Sequence, residues 1–180
     1  MAENADIKLV ESTLAGDVES FGTLCGRYYS SMAAIAYSAL SDHQLAEDVV
    51  QETFAQALLN LNKLKQKEKF PAWLARICRN IAADMSKVRL REFSSDDDFD
   101  SMTKVPAGGK NTSEIVTQAI SKLSSFDREL VVLRFYDNLS YEQISAVLGK
   151  TPAAINGKLV RAKKKLAQIL RKEGFPEVEL

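Results

Sequence analysis

At 180 residues, 46% hydrophobic and 27% charged, the chain is long enough for one ordinary domain or two small ones and has the profile of a soluble globular protein. No apolar run approaches the roughly 20 residues that span a bilayer, and the acidic N-terminus lacks the order of a signal peptide. Two cysteines, Cys25 and Cys78, are too few and too far apart for a disulfide framework or a zinc site, so a reducing cytosol is the expected compartment.

A formal net charge of zero hides blocks of opposite sign. Residues 1–52 carry nine acids against Lys8 and Arg27; residues 53–92 carry nine bases against Glu68, Asp84 and Glu92; residues 150–172 carry eight bases and no acid. Such blocks point to distinct surfaces for distinct partners, at least one of them polyanionic.

In chain order, nearly every segment reads at helical period. Residues 5–15 form a short amphipathic helix with Ile7, Val10 and Leu14 inward, ended by Gly16. A second helix over about 18–39 turns Phe21, Leu24, Tyr28, Met32, Ile35 and Ala36 to one face. Ser41-Asp42 caps a third, in which Leu45, Val49 or Val50, Phe54, Ala57, Leu58 and Leu61 recur at three- and four-residue steps. The lysine-rich loop KLKQKEK follows. Pro71 then opens a fourth helix from a position where proline is tolerated, with Trp73, Leu74, Ile77, Ile81 and Val88 inward. Arg76, Arg79 or Asn80, Lys87 and Arg91 form a polar stripe opposite that face.

From Phe93 the periodicity stops, and SSDDDFDSMTKVPAGGKNTS has the composition of a flexible acidic linker. It resumes at Ile115, Ala119, Ile120 and Leu123. An all-α protein of two small helical domains is therefore expected, at 1–92 and 113–174, joined by a linker at 93–112 and ending in a tail at 175–180.

LSYEQISAVLGKTPAAINGKLVRAKKKL carries the sharpest local signal. Ser140 and Gln143 are spaced as a capping box, Ile144 and Leu148 face inward, and Gly149 suits a left-handed helix end. Thr151 caps the next helix with Pro152 at its first position, and Ile155 and Leu159 point back to the core. These spacings define a helix-turn-helix. Its second helix is expected in the major groove, with Thr151, Ala153, Ala154, Asn156, Gly157 and Lys158 near its reading end. Arg161, Lys163, Lys164 and Lys165 are placed to hold phosphate. A solvated lysine face on an amphipathic hairpin is the plainer alternative.

AEDVVQETFAQAL, KFPAWLARICRNIAADMSKVRLR and the helix-turn-helix, taken in that order, resemble the extracytoplasmic-function (ECF, group 4) sigma factors over nearly the whole chain. The resemblance implies a sigma region 2 helical bundle followed by a sigma region 4 helix-turn-helix, and a promoter-specificity subunit rather than an enzyme. It implies core RNA polymerase (β′ clamp helices and β flap), promoter DNA and an anti-sigma factor as partners, with no cofactor and no membrane insertion. By the same resemblance Asp48, Gln51, Glu52 and neighbouring Phe54 would dock on the β′ clamp helices. Lys63, Lys65, Lys67, Lys69, Arg76, Arg79, Asn80, Lys87 and Arg91 would contact the −10 element, where a loop captures a flipped base. The recognition helix departs from the family's G-T-V-K-S-R: Asn156-Gly157 replaces Lys-Ser, which removes a cation and puts a helix-weakening glycine on the reading face. Lys158 stands in the arginine position and offers less rigid guanine recognition.

The competing function is a stand-alone helix-turn-helix regulator, which has no need for an acidic AEDVVQETF helix beside a basic WLxxIxxN helix. Enzyme motifs are absent: no phosphate-gripping glycine loop, no HExxH and no Cys/His nucleophile arrangement. His43 stands four residues before Glu47, but no further histidine joins them in a metal site. Asp48 and Glu52 are i,i+4 neighbours, a like-charge pair that costs an isolated helix about 0.2–0.5 kcal/mol, so stability does not account for them. Cys25 and Cys78 fall at or beside apolar helical positions, which favours packing over redox sensing.

Overall fold

The computed structural model describes residues 2–95, 112–135 and 139–173. Eight α-helices, and no strands, occur among these residues. They are α1 (Ala2–Leu14), α2 (Val18–Leu40), α3 (His43–Asn60), α4 (Phe70–Ser95), α5 (Thr112–Ser121), α6 (Ser125–Phe135), α7 (Tyr141–Leu148) and α8 (Pro152–Lys172). Two 3₁₀ turns, Leu61–Lys63 and Lys67–Lys69, lead from α3 into α4. The expected linker lies outside the described residues except at its two ends, where α4 runs to Ser95 and α5 begins at Thr112; the tail lies wholly outside them.

Local chemistry sets the helix ends. Asp17 accepts the N–H groups of Glu19 and Ser20 to start α2, and hydrogen bonds from Ser20 and Glu19 hold its carboxyl below the ordinary aspartate range. At the other end Ser41 adopts φ 55°, uncommon for a residue with a Cβ, and donates its N–H to the Tyr37 carbonyl at 2.8 Å. That turn lets Asp42 cap α3 through Gln44 and Leu45. Pro71 sits in the first turn of α4, where its missing N–H breaks no helical bond.

In the first half, α2, α3 and α4 pack around Phe21, Leu24, Met32, Ile35, Val49, Val50, Phe70, Leu74 and Cys78, all buried. Helix α1 is pinned to α2 by Asp6, a buried carboxylate that accepts from both Arg27 and Tyr28. Burial, together with the Asp6 carboxylate, pushes the Tyr28 hydroxyl far above its ordinary range. In the second half Leu130, Leu133, Ile144, Ile155, Leu159 and Leu166 close a smaller core between α6, α7 and α8.

Three residues expected inward face solvent: Leu14, Leu58 and Val88. Leu58 lies about 100° round the helix from buried Ala57 and is 44% exposed, so at this turn of α3 it is Ala57 that joins the seam with Leu61. Leu14 occupies the last turn of α1, just before the chain reverses at Gly16. Val88 is 52% exposed, although the next residue, half-buried Arg89, still pairs with Asp42 at the start of α3. Of the expected alternatives Val49 and Val50, both are buried.

The two halves touch. α6 lies against α2, and α7 against α4. Arg128 donates to the Ser38 carbonyl near the end of α2 (2.5 Å) and to the Ser121 carbonyl at the end of α5 (2.6 Å). One guanidinium thus serves the negative ends of two helices, and burial lowers its pKa.

Candidate nucleic-acid interface

Where the 3₁₀ turns meet α3 and α4, the surface folds into a groove of about 870 Å³. Trp73, Ile77 and Ile81 supply its apolar face, Lys63, Lys65 and Lys69 its basic edge, and Arg76 and Asn80 project from α4 along it. The floor is rigid because Phe70, directly beneath, is fully buried against Tyr28 (ring centroids 5.8 Å) and Trp73 (6.1 Å). Trp73 itself remains half-exposed. It serves the core and the groove at once.

The structure resolves the sequence-level choice between Arg79 and Asn80. Asn80 stands one turn from Arg76 and shares its groove. Arg79, rotated by about 100°, leaves the stripe and reaches α6, where Nε and Nη2 both bind the Glu129 carboxylate (2.9–3.3 Å). Lys87 is exposed and paired with Asp84 at 3.0 Å. Lys67 faces α1 and pairs with Glu11 at 2.8 Å, and Lys63 donates to Asn60. Arg91 belongs to α4, but its side chain lies outside the described residues.

Of the residues expected to dock on polymerase, Asp48, Gln51 and Glu52 are exposed on α3. Phe54 is half-buried, edge-on to Phe21 at 6.5 Å, and anchors that surface from below. Glu52 also lines the groove. There it accepts from Gln56 (2.9 Å), and the polar ladder continues through Asn60 to Lys63. The sequence reading missed Gln56 and Asn60 as groove residues. The four-residue steps from Glu52 to Gln56 to Asn60 were the available signal.

The second face is the start of α8. Ser140 and Gln143 form the expected capping box, Gly149 takes φ 62°, and Thr151 caps α8 through Ala154 N–H. Burial of Ile155 and Leu159 fixes the rotation of α8, leaving Ala153, Ala154, Asn156, Gly157 and Lys158 exposed together. Arg161, Lys164 and Lys165 are also exposed. Lys163 differs: it is half-buried, its ammonium 5.6 Å from the centroid of the Phe135 ring. Lys158 lies similarly over Phe126 at 5.7 Å.

Outside these faces, His43 stacks on Tyr37 at 4.3 Å, which gives it a packing role at the start of α3. Burial pushes the Cys78 thiol up to about 11, and it lies 3.5 Å from the Met32 carbonyl. Cys25 is half-buried and its pKa is raised by the same cause. Both sit as packing residues.

Comparison with known proteins bears on both faces. Residues 24–91 match the family model for sigma-70 region 2, and residues 113–166 the model for sigma-70, region 4. The chain is 31% identical over 147 residues to the ECF RNA polymerase sigma factor EcfG of Rhodopseudomonas palustris (strain TIE-1), covering 80% of this chain and 81% of the relative. It is 30% identical over 172 residues to the ECF RNA polymerase sigma factor BldN of Streptomyces coelicolor, covering 91% of this chain but 65% of that longer protein. Among solved structures it is similar to CnrH in complex with the cytosolic domain of CnrY (TM-score 0.64, 26% identity, 94% of this chain and 99% of that one). It is also similar to the sigma factor RpoE in complex with the anti-sigma factor NepR from Bartonella quintana (TM-score 0.61, 27% identity, 85% and 98%).

Proposed function

The chain belongs to the extracytoplasmic-function sigma factors of the sigma-70 family, and from that membership we propose how its two faces divide the work of promoter recognition. As an alternative sigma factor it binds core RNA polymerase and directs initiation at particular promoters; it is an initiation factor, and the polymerase supplies the chemistry. It acts in the compartment of the polymerase, the cytoplasm, and no helix among the described residues is long and apolar enough to cross a membrane.

The first half, residues 1–92, docks on the β′ clamp helices through Asp48, Gln51 and Glu52 and holds the −10 element in its groove. The observation that carries this division is the groove itself. A basic edge attracts the backbone of a single strand, and an apolar face with half-exposed Trp73 accepts an unstacked base. Such stacking is worth about 1–3 kcal/mol per base. Asn80 and the Gln56–Asn60 ladder supply donors and acceptors for the edge of that base. Capturing it favours the melted strand over the duplex, because a paired base cannot enter.

The second half, residues 113–174, reads the −35 element. Ala153, Ala154, Asn156, Gly157 and Lys158 face the base edges, while Arg161, Lys164 and Lys165 neutralise phosphates. With small side chains at three of those five positions, Asn156 is the principal direct reader, and an adenine partner suits its bidentate geometry. An anti-sigma factor holds the protein inactive between signals, as NepR accompanies RpoE.

Run-off transcription with core enzyme on a randomised promoter library tests the whole assignment: initiation is expected from a defined pair of elements. Tight binding of a specific duplex without polymerase, with no promoter-directed initiation when polymerase is added, would instead establish a stand-alone regulator. Charge reversal at Asp48 and Glu52 is expected to remove core binding while the helical circular dichroism is retained. Unchanged affinity in that variant would refute the docking surface.

A further inference from the structure

We propose that α1 is a brace for the −10 groove: Asp6 is the positioning residue that locks the aromatic platform around Trp73, and Glu11 ties down the lysine turn. The proposal rests on the assignment of that groove to the −10 strand. It concerns a helix that lies outside the region 2 match, which begins at residue 24.

The platform is reached through a chain of contacts. Asp6, its side chain 5% exposed, accepts from Arg27 and from the Tyr28 hydroxyl. A buried carboxylate stripped of its donors is strongly unfavourable, so α1 cannot slide along α2 and leave Asp6 unpaired. Hydrogen bonds to an ionised acceptor are strong, and this one fixes where the Tyr28 ring lies. That ring packs on Phe70 at 5.8 Å, and Phe70 on Trp73 at 6.1 Å. Phe70 is fully buried; in a close-packed interior it has no room to move unless Tyr28 moves. The apolar face of the groove is therefore set from α1, through Tyr28 and Phe70.

The turn is held from the same helix. Asp6 and Val10, four residues apart, are both buried. Glu11, about 100° further round than Val10, pairs with Lys67 at 2.8 Å, and α1 lies against both 3₁₀ turns. Lys67 thus faces α1, whereas its neighbours Gln66 and Lys69 line the groove. Lys67 anchors the turn, and the strand meets Lys65 and Lys69. Solvent screens the Glu11–Lys67 pair, so Asp6 carries most of the brace. Bracing matters because a base stacks well only on a platform already in place. If Trp73 drifts, part of the stacking energy goes into ordering it.

The test uses the full chain, free and as holoenzyme with core RNA polymerase. Trp73 is the single tryptophan of the chain, so its fluorescence in the free protein reports on the platform. Asp6→Asn keeps the size of the side chain and removes its charge. It is expected to raise acrylamide quenching of Trp73 and leave core affinity at the parental value. In the holoenzyme it should weaken binding of a fluorescent single-stranded oligonucleotide, its −10 sequence selected from the randomised library. The expected loss is at least about fivefold, since only molecules with the platform in place stack the base. Tyr28→Phe keeps the ring, loses the hydroxyl and should move both readings the same way by less. Glu11→Gln frees only the turn: strand binding should fall slightly at parental quenching, and full strand affinity there removes Glu11 from the brace. Glu19→Gln, the same charge change at an exposed site, should alter neither reading. Parental strand affinity in folded Asp6→Asn overturns the positioning role even if the variant melts earlier, because a merely structural role lowers the melt without touching the folded groove. If Asp6→Asn loses its helical signal, Tyr28→Phe decides, and parental readings there overturn the brace equally. A parent holoenzyme that does not hold the strand refutes the groove assignment instead; raised Trp73 quenching in Asp6→Asn would then still support the brace of the platform.

Discussion

The two nucleic-acid faces of this sigma factor present their cations in different states. Among the cations expected at the −10 element, Lys67 pairs with Glu11, Lys87 with Asp84 and Arg79 with Glu129, whereas Lys65, Lys69 and Arg76 are exposed along the groove. On α8, Arg161, Lys164 and Lys165 are exposed, and among the described residues none of them pairs with an acid. The recognition helix is thus ready to bind phosphate as it stands. In the first half, Lys67, Arg79 and Lys87 would each have to leave an internal acid before meeting phosphate. That difference suits the proposed division, in which the −35 contact is with intact duplex and the −10 contact with strands that polymerase has first to open.

The most severe way to break the comparison is to remove the platform under the groove. Phe70→Ala is expected to cost about 3–5 kcal/mol, read as a lower urea midpoint, and to abolish single-strand binding while an isolated −35 duplex still competes for any folded second half. Next, Asn80→Ala leaves the platform intact and should weaken binding of the non-template strand about tenfold, the loss of one well-formed contact worth about 1.4 kcal/mol. An effect on one base position only, seen with a set of singly substituted oligonucleotides, would identify the base it meets.

On α8 the structure separates lysines that look alike in the sequence. Lys164→Ala/Lys165→Ala should lower the slope of log affinity against log salt by nearly two for duplex DNA of any sequence, about 0.9 per lost phosphate contact. Lys163→Ala, with its ammonium over Phe135, should leave that slope almost unchanged. Equal slopes for all three lysines would erase the distinction. Smaller still, Ser140→Ala removes the capping box of α7 and is expected to cost about 1 kcal/mol, visible in thermal melting with little change at the groove. Finally, Cys78 should resist thiol-modifying reagents in the folded protein. With its thiol pushed up to about 11, only about a thousandth is thiolate at pH 8, so Cys25 should react first.

Much of this was legible in the chain because it is local. Caps and turn residues act within four positions, so Asp42, Ser140, Gly149 and Thr151 announce their helix boundaries, and the structure finds them in those roles. A period of 3.6 likewise places Phe21, Leu24, Met32, Ile155 and Leu159 on core faces without knowledge of what covers them. The exposed start of α8 follows directly from those last two. Arg76 and Asn80 are recognisable as one stripe, and Lys63, Lys65 and Lys69 as its basic neighbours.

What the tertiary structure alone decided concerns residues whose partners are distant in sequence. Leu58 and Val88 satisfy the helical period yet face solvent, because no neighbouring helix covers them. Glu129 looks like an ordinary surface acid in FDRELVVLRF and is instead buried, since α4 brings Arg79 to it across 50 residues. Arg79 and Asn80 are adjacent in the chain and both polar, but 100° of helical rotation gives one to the groove and the other to α6. Periodicity states which side chains share a face. Only the packing of helices far apart in the chain states what that face meets, and here it brings the region 2 and region 4 halves against each other.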